Sequence, residues 1–205
     1  MRFLQQEREL AQQMRSLAAT QYDKRNAEHE EQLLRLWAQL MPSRALSGRV
    51  SEDWSDVGFQ GTDPATDFRG MGLLGLQQLL EFSGPRWGAA ARAALGLSKH
   101  PSYGFPFACA GINISSWLLQ ALETGLLRRW FCEQLSRGLS VSPQAFHLLY
   151  ACVFDRFASH YVASQPEDIM SFGPIFASFK SHLEAQHFLF ATSLQYDSSS
   201  LTSEP

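Results

Sequence analysis

The chain has 205 residues, 45% of them hydrophobic, which is enough apolar material for one domain with a buried core. Its net charge is only −3, and residues 51–205 hold nine basic and fourteen acidic residues, a net charge of −5. A nucleic-acid-binding protein would instead carry a basic stripe. The composition therefore favours a single globular domain and argues against a nucleic-acid partner.

The first helical pattern covers residues 3–20, because apolar residues recur there along one stripe. A second helical pattern covers residues 28–41 and ends at a proline. The polar stretch between them, residues 20–27, predicts a break. We therefore expect an N-terminal helical arm, residues 1–26, and a main domain that follows it. The sequence does not decide whether the arm packs on that domain.

A long irregular connection, residues 42–70, precedes a series of further helical patterns. Prolines at or near the first helical position mark several of their starts. The predicted helices cover residues 68–82, 86–97, 106–124, 126–136, 143–163 and 173–189. No segment alternates apolar and polar residues as a half-buried strand would. The predicted fold class is all-α, in one compact domain over residues 27–191 with a disordered tail over 192–205.

The sequence shows no targeting or membrane signal. Residues 1–10 are too polar for a signal peptide. Residues 101–122 carry no charge, but the prolines, glycines and polar side chains within this run favour a buried helix over a membrane span. The three cysteines, Cys109, Cys132 and Cys152, have apolar neighbours and no metal-type spacing. We expect buried free thiols, no metal site and a soluble protein in a reducing, cytoplasmic compartment.

Residues 54–70 form the most informative stretch, with three glycines, one proline, three carboxylates and one arginine. Arg69 lies at the predicted start of helix 68–82, where the first turn favours anions over cations by about 0.3–1 kcal/mol. Two interpretations remain open. Arg69 pairs with Asp63 or Asp67 and ties the connection to the helix, or its guanidinium is held ready for a phosphate group, whose oxygens its planar fork matches.

Two short patterns in this region have simpler explanations than catalysis. Residues 70–75 match G-x-G-x-x-G, but no strand precedes them and no acidic residue follows at the expected distance, which argues against a dinucleotide cofactor. The second and third glycines of this run, Gly72 and Gly75, would instead let another backbone of the chain or a partner approach closely. Asp63 and Asp67 could form an acid–base pair, but Pro64 after Asp63 predicts a helix N-cap.

A longer pattern runs through this stretch and continues beyond it. It reads Trp54-x-x-x-Gly58-Phe59-Gln60-Gly61-x-x-Pro64-x-Thr66-Asp67-Phe68-Arg69-Gly70-x-Gly72-x-Leu74-Gly75-Leu76. Two later runs accompany it, Tyr103-Gly-Phe105-Pro106-Phe107-Ala108 and Phe172-Gly-Pro174-Ile-Phe176. Together they resemble the ELMO domain, and more narrowly the ELMO-domain-containing proteins, over most of the chain.

This resemblance implies an all-helical domain that acts as a GTPase-activating protein for Arf and Arf-like small GTPases. The arginine that the family regards as catalytic corresponds to Arg69, which would act in trans as an arginine finger. The alternative is a non-catalytic scaffold module that binds a small GTPase. The expected residues for loop support and partner binding are Trp54, Gly58, Phe59, Gln60, Gly61, Asp63, Pro64, Thr66, Asp67 and Gly70.

The implied partner is a GTP-loaded Arf or Arf-like GTPase, to which the GTP and Mg²⁺ would belong, so that this chain needs no cofactor of its own. The chain would then promote its partner's chemistry rather than act on a substrate of its own. Association with organelle membranes or the cytoskeleton would come through the partner. Gln60 has three open roles: it could orient water, satisfy the backbone of the connection or touch the GTPase. The sequence does not specify which GTPase is preferred.

Overall fold

The computed structural model describes residues 2–188, which form eight α-helices and three 3₁₀ helices. The α-helices are α1 (Arg2–Ala19), α2 (Ala27–Leu40), α3 (Gly72–Ser83), α4 (Gly88–Ser98), α5 (Phe107–Glu123), α6 (Arg128–Ser136), α7 (Pro143–Ala163) and α8 (Phe172–Ala185). The 3₁₀ helices are Glu52–Val57, Pro64–Gly70 and Ile169–Ser171. These residues contain no strand, which confirms the all-α prediction. The predicted tail and the predicted domain end at residue 191 lie outside the described residues.

Helix α3 is the central element of the core. It packs against α1, α2, α4, α5 and α7, and its buried residues lie on all of its faces, as expected for a helix surrounded by others. Near its C-terminal end the ring of Phe82 stacks on Phe107 of α5 and on Phe154 of α7, with centroid distances of 6.3 and 4.9 Å. The aromatic rings therefore join the three innermost helices.

Helix α1 packs on the core rather than extending from it. Leu10 and Met14 are buried against α3 and α5, and the buried carboxylate of Glu7 accepts a hydrogen bond from Arg128 Nε at 2.8 Å. The segment that the sequence predicts as an arm is thus a docked helix in this structure. The domain boundary at residue 26 stays a prediction.

The start of α3 lies against the end of α1, as the glycine pattern predicts. Gly72 has a φ of +47°, and a β-carbon at this position would lie 2.3 Å from the carbonyl oxygen of Thr20. That carbonyl accepts a hydrogen bond from the Leu73 amide at 2.9 Å. Gly75 is different, because a β-carbon there would make only ordinary contacts, the nearest at 3.4 Å. The close backbone approach therefore requires glycine at position 72 but not at position 75.

The helix predicted over residues 68–82 is two elements in the structure. Residues 64–70 form the second 3₁₀ helix, and α3 begins only at Gly72. Met71 lies between them with a φ of −133°, outside helical geometry. The left-handed conformation of Gly72 redirects the chain at this point, so the helical pattern continues across a break in the backbone.

The uncharged run, residues 101–122, is not a membrane span. Most of it belongs to α5, which is largely buried. In the described part of the chain, no helix has both the length and the apolar content to cross a bilayer.

The expectation of buried free cysteines is confirmed in part. The three cysteines are free, and Cys152 is buried as predicted. The prediction is wrong for Cys132, which α6 turns toward solvent, and Cys109 is only partly buried.

We predict that Gly72→Ala lowers the free energy of unfolding by about 2–4 kcal/mol, because it adds both a steric overlap and a left-handed alanine. Urea unfolding followed by circular dichroism measures the change. Gly96→Ala is the matched control: Gly96 lies within α4 with nothing within 4 Å of an added β-carbon, and alanine should stabilise the helix there by about 0.5–1 kcal/mol. Equal effects of the two substitutions would contradict the proposed contact.

Candidate functional site

The connection between α2 and α3 is held against the N-terminus of α5 by Gly58. This residue has a φ of +81°, and a β-carbon on it would lie 2.1 Å from the Phe107 amide nitrogen. Its carbonyl accepts a hydrogen bond from the Cys109 amide at 3.2 Å. The N-cap of α5, Pro106, provides no side-chain hydrogen bond. The connection therefore satisfies one of the amides that a helix N-terminus leaves unpaired.

Three aromatic side chains fix the same connection to the core. Trp54, Phe59 and Phe68 are all buried, with ring centroids 5.7 Å apart for the first pair and 5.5 Å apart for the second. The ring of Trp37, on α2, packs against the other side of this aromatic cluster, with its centroid 5.4 Å from that of Trp54. The connection is thus a rigid part of the domain, despite its irregular backbone.

The second 3₁₀ helix begins at the predicted cap. The carboxylate of Asp63 accepts a hydrogen bond from the Ala65 amide at 3.0 Å, and Pro64 occupies the first helical position. The guanidinium of Arg49 also binds this carboxylate, at 2.8 Å. Burial alone would raise the pKa of Asp63, but the bonds from Arg49 and Ala65 outweigh it and lower that pKa. Asp63 is therefore an ionised cap with a cationic partner.

Arg69 lies in the last turn of this 3₁₀ helix, with its side chain exposed. Its Nε donates a hydrogen bond to the carbonyl oxygen of Thr66 at 2.9 Å. The predicted position of Arg69 at the start of a helix is wrong, because Arg69 belongs to the second 3₁₀ helix and α3 begins only at Gly72. The cation therefore lies near the carbonyl end of its own helix, where positive charge is favoured.

The structure does not show the ion pair of the first interpretation, in which Arg69 pairs with Asp63 or Asp67. In the described part of the chain, no carboxylate forms a salt bridge with the Arg69 guanidinium, and Asp63 is bound to Arg49 instead. The one hydrogen bond through Nε orients the planar group. Among the described residues, its terminal nitrogens form no hydrogen bond, and the second interpretation of Arg69 stays a prediction.

Asp67 bonds to the Gln60 amide and to α5, and not to the Arg69 guanidinium. Its Oδ1 accepts a hydrogen bond from the Gln60 amide at 3.2 Å and lies 3.7 Å from the thiol sulfur of Cys109. Its Oδ2 is buried and has no hydrogen-bond partner among the described residues. Burial raises the pKa of Asp67 above its ordinary value. This bond uses the main chain of Gln60, and the three roles considered for its side chain stay predictions.

Arg69 borders two open depressions on the surface. One has a volume of about 290 Å³ and lies between the motif and the α5 residues Cys109, Ile112 and Asn113. The other, of about 440 Å³, is bounded by residues 22–25 of the α1–α2 connection and by the second 3₁₀ helix. A partner that fills either depression would contact the guanidinium.

The structure separates the expected support residues into an inner and an outer group. The inner residues pack within the domain or bond to it, and they are Trp54, Gly58, Phe59, Asp63, Pro64 and Asp67. The outer residues are exposed, and they are Gln60, Gly61, Thr66 and Gly70. Three of the outer residues, Gln60, Thr66 and Gly70, line the same depression as Arg69. Partner binding by the outer group stays a prediction.

The residues of this site that the sequence did not indicate include Cys109 and Arg49. Cys109 lies in α5 and lines the smaller depression, while Arg49 binds Asp63 and Glu30. Both lie outside the motif. The partners of Arg49 are 14 and 19 residues away in the chain, a separation for which no local spacing rule exists.

The sequence model of the ELMO/CED-12 family matches residues 12–176, which span this site and begin within α1. The chain belongs to the ELMO/CED-12 family. No solved structure matches it significantly.

Curated relatives agree with this family membership. The chain is 39% identical over 151 residues to ELMO domain-containing protein 2 of Mus musculus, which covers 74% of this chain and 50% of that protein. It is 39% identical over 162 residues to ELMO domain-containing protein B of Dictyostelium discoideum, covering 79% and 55%. It is 34% identical over 196 residues to ELMO domain-containing protein 1 of Bos taurus, covering 87% and 59%. The chain thus spans little more than half the length of the relatives it matches.

We predict that Asp67→Asn raises the free energy of unfolding at pH 7. A carboxyl whose pKa is raised on folding holds its proton more tightly in the folded state, so ionisation at higher pH destabilises that state. The asparagine variant escapes this cost, and its stability advantage should shrink as the pH falls to the ordinary aspartate pKa, because the raised pKa of Asp67 lets its carboxyl take up a proton before that point. Urea unfolding at several pH values measures the difference.

Asp53→Asn is the control of opposite sign. Hydrogen bonds from Ser47 lower the pKa of Asp53 to about 2, so its ionised form contributes stability above the ordinary aspartate pKa that is lost as the pH falls toward about 2. The free energy of unfolding of this variant should therefore be lower than that of the wild type at pH 7. The difference between the two should become smaller as the pH falls. Destabilisation at pH 7 by both variants would contradict the account of Asp67.

Proposed function

We propose that this chain is a GTPase-activating protein for Arf or Arf-like small GTPases, with Arg69 as an arginine finger. The observation that carries the proposal is the state of Arg69: an exposed guanidinium, oriented by one hydrogen bond and not bound to a carboxylate in the described part of the chain. The other motif charges are engaged elsewhere, Asp63 with Arg49 and Asp67 with the Gln60 amide. Membership of the ELMO/CED-12 family supports the same partner class.

The chemistry of GTP hydrolysis explains why one such group is sufficient. In the transition state, charge spreads over the γ-phosphoryl oxygens and the leaving oxygen, and the GTPase already supplies Mg²⁺ and a lysine. An arginine delivered in trans adds the missing positive charge and accelerates hydrolysis by about 10³–10⁵-fold. Arginine suits this task because its planar fork can bind two oxygens at once.

The rest of the motif would place this group. The inner residues fix the backbone: Gly58 seats the connection on α5, and buried Trp54, Phe59 and Phe68 hold it on the core. A rigid base reduces the entropy lost when the guanidinium meets its target. The outer residues Gln60, Gly61, Thr66 and Gly70 would contact the GTPase around the finger.

The proposal assigns no cofactor to this chain. GTP and Mg²⁺ would belong to the partner, and the chain would supply one charge and the surface that positions it. A cytoplasmic location, with access to organelle membranes through a membrane-associated GTPase, is part of the same proposal.

We predict that Arg69→Lys reduces the maximal stimulation of GTP hydrolysis by at least about a hundredfold, because lysine keeps the charge but not the fork. The measurement is single-turnover hydrolysis by a panel of Arf and Arf-like GTPases. The GTPase concentration dependence should change little, and so should the melting temperature, because the Arg69 side chain is exposed.

Arg35→Lys provides the matched control, since Arg35 is an exposed arginine of α2 outside both depressions. It should stimulate like the wild type. If the substitution of Arg69 leaves the stimulated rate of GTP hydrolysis unchanged, Arg69 is not an arginine finger. Binding of GTP-loaded partners without stimulation of any of them would leave the scaffold alternative.

A further inference from the structure

Arg49 joins three segments of the fold through one side chain. Its Nε donates to Glu30 of α2 at 2.7 Å and its Nη1 donates to Asp63 at 2.8 Å. Its guanidinium lies over the ring of Tyr22, 5.6 Å from the centroid. Only 21% of the Arg49 side chain is exposed, so this ion triad is sheltered from solvent and stronger than an ordinary surface pair.

The first connection from Arg49 toward Arg69 is polar and runs through Asp63. The Asp63 carboxylate caps the Ala65 amide, and the Asp63 carbonyl accepts a hydrogen bond from the Thr66 hydroxyl at 3.0 Å. The carbonyl of Thr66 in turn accepts the Nε hydrogen bond of Arg69 at 2.9 Å. The residue that orients Arg69 is therefore bonded directly to the residue that Arg49 holds.

A second connection is aromatic. Tyr22 stacks on Phe68, the residue before Arg69, with centroids 6.0 Å apart. Its hydroxyl donates to the same Glu30 oxygen that Arg49 binds, at 2.7 Å. The second 3₁₀ helix is thus held at its beginning by Asp63 and near its end by Phe68. Arg49 binds Asp63 directly and contacts Phe68 indirectly, through the ring of Tyr22.

We infer that Arg49 is a positioning residue for Arg69, an inference that rests on the proposed function. The planar guanidinium spans two carboxylates, Glu30 and Asp63, that lie on different segments. A lysine ammonium is a compact point charge and cannot bridge both while it covers the ring of Tyr22. Loss of the bridge frees the cap of the 3₁₀ helix and lets the finger deviate from its reactive orientation.

Arg44 provides a closely matched control in the same connection. It also bridges two carboxylates, Asp53 and Asp56, and its guanidinium also lies 5.6 Å from an aromatic centroid, that of Trp37. Its carboxylate partners, however, belong to the first 3₁₀ helix, Glu52–Val57. Arg44→Lys and Arg49→Lys therefore remove similar bridges. Only the bridge of Arg49 is connected, through Asp63 and Thr66, to the Arg69 side chain.

The first experiment compares single-turnover GTP hydrolysis stimulated by the wild type, Arg44→Lys, Arg49→Lys and Arg69→Lys. We expect Arg49→Lys to lower the maximal rate by about tenfold or more, since small misplacements of a catalytic group have effects of that size. The half-saturating GTPase concentration should stay within about twofold, and Arg44→Lys should stay within about twofold in both quantities. Equal losses in the two lysine variants, or a change only in half-saturation, would overturn the inference.

The second experiment is independent of GTPase activity. Hydrogen–deuterium exchange of the free protein should show amide exchange in residues 65–71 about tenfold faster in Arg49→Lys, with residues 52–58 unchanged, and the reverse pattern in Arg44→Lys. Unchanged exchange at residues 65–71 in Arg49→Lys would overturn the inference. If the wild type stimulates no GTPase, the proposed function fails, and this exchange pattern still decides whether Arg49 holds the segment that carries Arg69.

Discussion

The close contact between Gly58 and the N-terminus of α5 is the constraint on which the site depends. The backbone of the connection approaches the Phe107 amide so closely that only glycine fits, and the Gly58 carbonyl satisfies the Cys109 amide. A helix N-terminus without a side-chain cap thereby gains a hydrogen-bond partner from the connection. The buried rings of Trp54, Phe59 and Phe68 then fix the connection to the core.

The distribution of charge follows from this geometry. Once the connection is seated, Asp63 faces Arg49 and Asp67 faces the Gln60 amide and Cys109, so neither aspartate pairs with Arg69. In the described part of the chain, the guanidinium of Arg69 forms no salt bridge with a carboxylate. An exposed cation held in this way suits an anionic partner better than a purely structural role, since its exposed position adds little to stability.

Family membership and geometry contribute differently to the functional conclusion. The ELMO/CED-12 match covers residues 12–176 and places this chain among proteins named for the same domain, although it spans only 50–59% of the three relatives compared. The geometry adds what a family name does not contain: an oriented guanidinium between two depressions, and a network through Arg49 that reaches it. The proposed activity draws on both.

The all-α class, the cap at Asp63 and the family motif around Arg69 could be predicted from the chain, because each depends on residue types at short, regular spacings. The start of α3 was predicted wrongly, since the helical pattern continues across the break at Met71 and Gly72. Two features emerge only from the folded arrangement: Arg69 has no aspartate partner among the described residues, and Arg49 binds Asp63. These outcomes depend on which distant segments meet in space, and ion pairs across 14 or 19 residues leave no local pattern in the chain.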